Sequence, residues 1–316
     1  MDNLTHSLVG WALAETGLKR RTRKGLAACV LAANMPDIDV FFGWAPWAPL
    51  AMHRGFTHGL VGGVLVLPPV LAGLLWLLDR WQASRGRIGA DAPAMRFGWL
   101  VLLSYLGAIT HPLLDLQNVY AVQLMSPLSE RWFHSDGLFI VSPWLLGMLG
   151  FGIWRSRAAA RGRPALLALV TATGFIVFNV ALSSLAWRAP SRAAPYARPD
   201  RVFASPAPLA FWRREVVWRQ DGAIARGDYD PLRSPTGLVR FGPPLADNMA
   251  LPIVREAVLA SAEVRDFLAW SQMPMASVVR AGCRVTVRFG DARFAAAPVA
   301  GSFSRTVVLD RCRPTG

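Results

Sequence analysis

In the first 187 positions apolar residues come in blocks, separated by short basic or polar turns. Residues 4–18 predict a helix, with Asp2 or Asn3 able to cap its start and Gly17 marking its end. Residues 25–35 predict a second short helix, stopped by Pro36. Each is shorter than the roughly 20 residues that cross a bilayer, so they form a hairpin that either enters the membrane or lies on its surface. Four longer apolar blocks follow, at 60–78, 97–114, 138–154 and 165–187, and each is a candidate transmembrane helix. Pro68-Pro69 predicts a kink in the first of them. Trp44 and Trp47 suit a membrane interface.

Beyond residue 187 the pattern changes. Residues 188–200, rich in Pro, Ala and Arg, read as a linker. Alternating segments at 202–203, 211–219 and 223–226 read as strands, with a turn at Asp221-Gly222. Residues 247–270 read as one or two helices. Residues 278–289 and 303–309 read as strands, with a turn at Gly290-Asp291. The expected fold is thus a membrane α-helical bundle over 1–187, with four transmembrane helices and an N-terminal hairpin. The linker and a soluble α+β domain over 201–316 follow it.

Composition supports a membrane protein: mean hydropathy is +0.32 and 13 residues are Trp. The net charge of +14 suggests nucleic acid until its location is read. Basic residues cluster at 19–24, 80–96 and 155–163, between apolar blocks. The positive-inside rule places these three turns in the cytoplasm. Alternation then carries residues 1–6, 37–58 and 111–136, and everything after 187, to the opposite side. No cleavable signal peptide is evident at the N-terminus. Cys283 and Cys312 form a disulfide if their domain faces an oxidising compartment; otherwise they are two unrelated thiols.

That orientation gathers all five histidines, His6, His53, His58, His111 and His134, on one face with Asp37, Asp39, Asp115 and Asp136. His111 and Asp115 stand at i,i+4 and share one helix face; a solvated helix end would look the same. Asp37 and Asp39, at i,i+2, point the same way in extended chain and suit a divalent metal or a general base; a Pro-Asp turn is the plainer reading. His53 and His58 bracket Arg54, which suits an anion. Thr57, and Ser135 or Asp136, are also helix-cap residues. Histidines and carboxylates without cysteine suit zinc or another divalent metal, one ion or two. His6, Asp39, His53, His58, His111, Asp115 and His134 are the metal-ligand candidates. Asp37 and Asp136 are candidate general bases, and Arg54 is a candidate for steadying an anionic group.

The same residues carry a family resemblance: Met1-Asp2-x-x-Thr5-His6, Pro36-Asp37-Ile38-Asp39, His53-Arg54-Gly55-x-Thr57-His58, His111-x-x-x-Asp115 and the His134/Asp136 pair. The chain resembles the YdjM-like membrane-bound metal-dependent hydrolases over residues 1 to about 187. The resemblance implies an inner-membrane, multi-pass protein and a hydrolytic reaction. Joined to the orientation, it gives a hydrolase of a lipid or envelope ester or phosphoester at the outer face. Membrane lipid and a small-molecule or lipid substrate are then the expected partners, and no nucleic acid is expected. A more distant similarity is to the zinc-dependent phospholipase C and P1-type nuclease group, whose N-terminal Trp ligand is absent here. Two rivals remain: a metal-binding or transport protein, and a structural or regulatory membrane protein. Polar residues deep in the apolar blocks are few (Ser104, Thr171, Thr173, Asn179), which argues against a conduction path.

Overall fold

A computed structural model describes residues 1–42, 54–193, 198–295 and 301–312. Trp44, Trp47 and His53 lie outside the described residues. The described chain forms two compact units. One holds residues up to Leu182 together with Pro206–Phe211, and the other holds Ser183–Ser205 and the chain from Trp212 onward.

The first unit is helical. α1 (Asn3–Glu15) starts where the Asp2 side chain accepts from Thr5 N, and α2 (Gly25–Asn34) runs back beside it. After α2 the chain tightens into a 3₁₀ helix, Met35–Phe42. A π-helical segment, Leu60–Val66, leads into α3 (Leu67–Ser84). The change falls at Pro68-Pro69, in the first turn of α3, where neither residue has an N–H to donate to the carbonyls of the π-helical segment before it. Gly59, not Thr57, caps the π-helical segment. α4 (Phe97–Asp115), α5 (Pro143–Ala158) and, up to Leu182, α6 (Arg163–Arg188) complete the unit.

Among the described residues, three helices are long and apolar enough to cross a membrane: Leu60–Ser84, Phe97–Asp115 and Arg163–Arg192. The fourth expected span, at 138–154, is shorter than its apolar pattern suggested. Ser142 and Pro143 start α5 late, and its 16 residues reach only about 24 Å of a roughly 30 Å hydrocarbon core. Ser142, not Ser135 or Asp136, caps α5.

Close packing of α1, α2 and α4 rests on two glycines. A Cβ at Gly10 would lie 2.6 Å from the Cys29 carbonyl oxygen, and one at Gly107 would lie 2.5 Å from the same atom. Each glycine is one turn from a histidine, His6 and His111. Leu100, Leu103, Ala28 and Ala32 fill the space between the same helices.

The three basic turns meet at one end of this unit. Arg23 bonds Asp79 at the end of α3, Arg23 N bonds Ala94 O, and the Arg20 guanidinium reaches Ala160 O. α1 and α2 run from this end to the other, where His6 and Asn34 lie.

The second unit is β-rich. β1 (Arg201–Pro206), β2 (Arg214–Gln220), β3 (Ala223–Tyr229) and β4 (Arg240–Phe241) pair in that order, and β5 (Leu245–Ala246) also pairs with β3. Ala186 and Ala189 pack with Trp218 and Tyr229 in its core. α7 (Pro252–Ala260) and α8 (Ala262–Trp270) are separated at Ser261, whose side chain caps α8. β6 (Pro274–Ala281), β7 (Arg284–Asp291) and β8 (Ser304–Asp310) form an antiparallel meander. The tight turn between β6 and β7 is at Gly282-Cys283, not Gly290-Asp291. Gly282 has φ +57, and Ala281 pairs directly with Arg284. Cys283 is disulfide-bonded to Cys312.

Candidate metal centre

Three imidazoles and two carboxylates converge where α1, α4, the 3₁₀ helix after α2 and the segment before α3 meet. His6 and His111 stack, with ring centroids 3.9 Å apart and planes at 14°. His58 stands edge-on to His111 at 4.8 Å. Asp115 Oδ1 is 3.5 Å from His6 Nε2, and its Oδ2 is 3.4 Å from both His58 Nε2 and His111 Nε2. Asp37 Oδ1 is 3.1 Å from His58 Nε2 and 3.6 Å from His111 Nε2. The three histidines are fully buried and Asp115 nearly so.

Backbone chemistry sets the outward nitrogen of each oriented ring. Pro36 has no N–H with which to close a 3₁₀ bond onto Ala33 O. His111 Nδ1 donates to that carbonyl at 2.7 Å instead, so Nε2 is the nitrogen turned to the carboxylates. Thr57 donates to Asp39 at 2.7 Å, and its oxygen lies 3.1 Å from His58 Nδ1. That contact leaves His58 Nε2 facing Asp37 and Asp115.

A cation fits this donor set. His6 Nδ1 and Nε2 and His111 Nε2 are buried with no hydrogen-bond partner among the described residues, and buried polar atoms are costly when left so. Burial alone would raise the Asp37 carboxyl. The adjoining imidazoles of His111 and His58 outweigh it and hold Asp37 well below the ordinary carboxylate range. The amino nitrogen of Met1 also contacts Asp115.

Arg54 lies beside the cluster with its guanidinium 3.5 Å from Asp115 Oδ1. It donates to Asn118 Oδ1 at 3.1 Å and stacks over Tyr120. Its backbone is left-handed, φ 70, and Gln123 N bonds its carbonyl. A non-glycine residue held in that region at a buried polar cluster is a feature of functional sites.

Of the sequence candidates, His6, Asp37, His58, His111 and Asp115 come together. Asp39 stands one step back, on Thr57 and 3.4 Å from His58 Nδ1. From the 3₁₀ helix, Asp37 and Asp39 reach opposite nitrogens of His58, and Asp37 also reaches His111. His134 Nδ1 bonds the buried Asp136 at 2.9 Å, and neither residue belongs to the groups that could share an ion. Ser135 N, bonded to Leu116 O, holds that segment against the residue that follows Asp115. Sequence reading missed Asn118, which is buried with its Nδ2 unpartnered among the described residues. Its one signal was its place three residues after Asp115.

No curated protein and no solved structure matches the chain. The profile of the YdjM inner membrane protein family matches residues 1–186, which include the whole of the cluster, and the chain belongs to that family.

Proposed function

We propose that the protein is a membrane-bound metal-dependent hydrolase acting on an anionic ester, a phosphoester of a lipid or envelope component, at the outer face of the inner membrane. The convergence of three imidazoles and two carboxylates, with imidazole nitrogens left unsatisfied in the interior, carries this reading. His6, His58, His111, Asp37 and Asp115 would hold a divalent ion, zinc in first place. When bound, such an ion makes a neutral-pH nucleophile of water and polarises the scissile bond.

The chain's own groups do the rest. Asp39, through Thr57, and the Ala33 carbonyl fix the rings of His58 and His111. Arg54 and Asn118 Nδ2 offer charged and neutral N–H donors to anionic substrate oxygens. The His134–Asp136 pair is the proton acceptor, its imidazole oriented by a buried carboxylate. The five-donor set, in which Asp37 takes a ligand's place, releases Asp37 from the general-base role.

The direct test is hydrolysis of a chromogenic phosphodiester and of phospholipid by the purified full-length protein, before and after chelation. Activity lost with chelator and restored by zinc is expected. Arg54→Gln should raise KM at least ~10-fold, the size of a lost charge-assisted hydrogen bond, with the metal retained. Bound metal without hydrolysis of either substrate would leave a metal-binding protein and sink the enzyme assignment.

The outer-face placement draws on the three basic turns at one end and on the Cys283–Cys312 pair. In cells, the two cysteines should resist a maleimide until reductant is added, and a C-terminal alkaline phosphatase fusion should be active. Free thiols and a silent fusion would place the second unit in the cytoplasm and remove the proposed substrate class.

A further inference from the structure

The end of the helical unit away from the histidines carries chemistry the hydrolase reading does not use. A cleft of about 480 Å³ opens there, lined by Lys19, Arg20, Arg23, Lys24 and Arg87. Two of these charges are neutralised in place. Lys19 pairs with Glu15 at 2.6 Å, and Arg23 makes a two-bonded pair with the buried Asp79 at 3.0 and 2.9 Å. Arg20, Lys24 and Arg87 pair with no carboxylate among the described residues. Arg20 reaches only a backbone carbonyl, Lys24 the Gln82 amide oxygen, and Arg87 the face of Trp81. A second cleft of about 200 Å³ shares Lys19 and Arg20 and adds Arg157 and Arg161. The cleft therefore holds three unneutralised cations, and the excess continues into its neighbour.

The surroundings indicate which anion belongs there. Each of the three long apolar helices has a terminus at this end, at Ser84, Phe97 and Arg163. Trp76, Trp81 and Trp99 lie near those termini with arginines over their rings. An aromatic and basic belt of this kind sits at headgroup level. The cleft also has apolar lining: Leu26, Ile88 and Pro93. A free phosphate would gain nothing from those three side chains; the glycerol and first acyl carbons of a lipid would.

We propose that this basic cleft binds the phosphate of an anionic phospholipid headgroup, with Arg20, Lys24 and Arg87 as its cations and Leu26, Ile88 and Pro93 against the lipid backbone. Arg23, already neutralised by the buried Asp79, is not a ligand. Basic pockets between membrane helices bind anionic headgroups in this way. The site is separate from the histidine cluster, and it stands whether or not that cluster hydrolyses anything.

The test uses the full-length protein in neutral detergent. Phosphatidylglycerol, phosphatidylcholine and inorganic phosphate are each titrated, with bound lipid counted by mass spectrometry of the intact complex. Saturable binding of phosphatidylglycerol is expected, with little binding of phosphatidylcholine and no competition from millimolar phosphate. The Arg20→Gln/Arg87→Gln double variant should bind phosphatidylglycerol about 30-fold more weakly, and Arg87→Gln alone about 5-fold. The single variant changes an exposed loop residue and serves if the double variant unfolds. Equal binding of the two lipids, or undiminished binding by the variants, would overturn the proposal. Full competition by inorganic phosphate would overturn the lipid assignment and leave a soluble-anion site.

Discussion

Replacing His111 with alanine is expected to strip the protein of its divalent ion. His111 is the one residue shared by both of the tight ligand groups, with His6 and Asp115 on one side and Asp37 and His58 on the other. Its ring is held by Ala33 O through Nδ1, so only Nε2 is available. A single imidazole nitrogen binds one ion, so a single ion per chain is the expected stoichiometry. Metal affinity should fall by more than ~100-fold, beyond the loss that follows removal of a group merely supporting a ligand. His58→Ala should do the same. Asp39→Ala, which removes the carboxylate that braces Thr57 and faces His58 Nδ1, should cost about 10-fold or somewhat more. His134→Ala should leave the metal in place, because His134 belongs to neither ligand group. Metal-to-protein ratios on purified variants measure all four. The site is falsified if His111→Ala and His58→Ala both retain a full complement.

The sequence carried the outline of this site for a physical reason. Ionisable residues are excluded from the interiors of apolar blocks, so His6, His58 and His111 fall at block ends, and antiparallel helices bring alternate ends together. The three basic turns identified the other end by the same logic, and Arg20, Arg23 and Ala160 do meet there. The partition of roles was not readable. Whether Asp37 or Asp39 faces the cluster depends on residues 35–42 being 3₁₀ rather than extended, which Pro36 permits without dictating. Asn118 follows α4 in a loop whose pairing with Arg54 is a long-range contact that no local pattern announces.

Element ends show the same division. The hydrophobic block at 138–154 carried the right character but not the helix start, because Ser142-Pro143 outweighs the apolar residues before it. The close approach of α1 and α4 to Cys29 was invisible, since Gly10 and Gly107 look like any helical glycine until a neighbouring backbone is placed 2.5–2.6 Å from where a Cβ would be. In the second unit, period-2 alternation marked the strands. It did not place the reversal at Gly282, so 278–289 read as continuous strand.

Asp291→Ala is expected to destabilise the second unit by about 3–5 kcal/mol, the usual cost of leaving a buried charge without its partner. Asp291 and Arg293 are both buried and bonded through two N–H groups at 2.8 Å. Ser271 and the backbone N–H groups of Gln272 and Met273 also donate to the carboxylate. The guanidinium lies 4.9–5.0 Å from the ring centres of Phe203, Trp270 and Phe294. Removing the carboxylate therefore leaves a cation enclosed by aromatic rings and out of reach of water. Burial by itself would raise the Asp291 carboxyl, but Arg293 and the donors around it hold it below the ordinary value of 3.8. A depressed folded-state value means that this stabilisation is complete above the unfolded value and is lost as pH falls through the folded one. Acid unfolding that depends on Asp291 should therefore begin only below about pH 4. Proteolysis of the full-length protein in graded urea, scored on fragments from residues 198–312, reads the difference. An Asp291→Leu/Arg293→Met double variant should recover most of the loss, because it removes both charges and keeps apolar volume against the rings. If the double variant is as unstable as Asp291→Ala, the cost belongs to the hydrogen bonds from Ser271, Gln272 and Met273 rather than to the loss of the carboxylate beside the guanidinium.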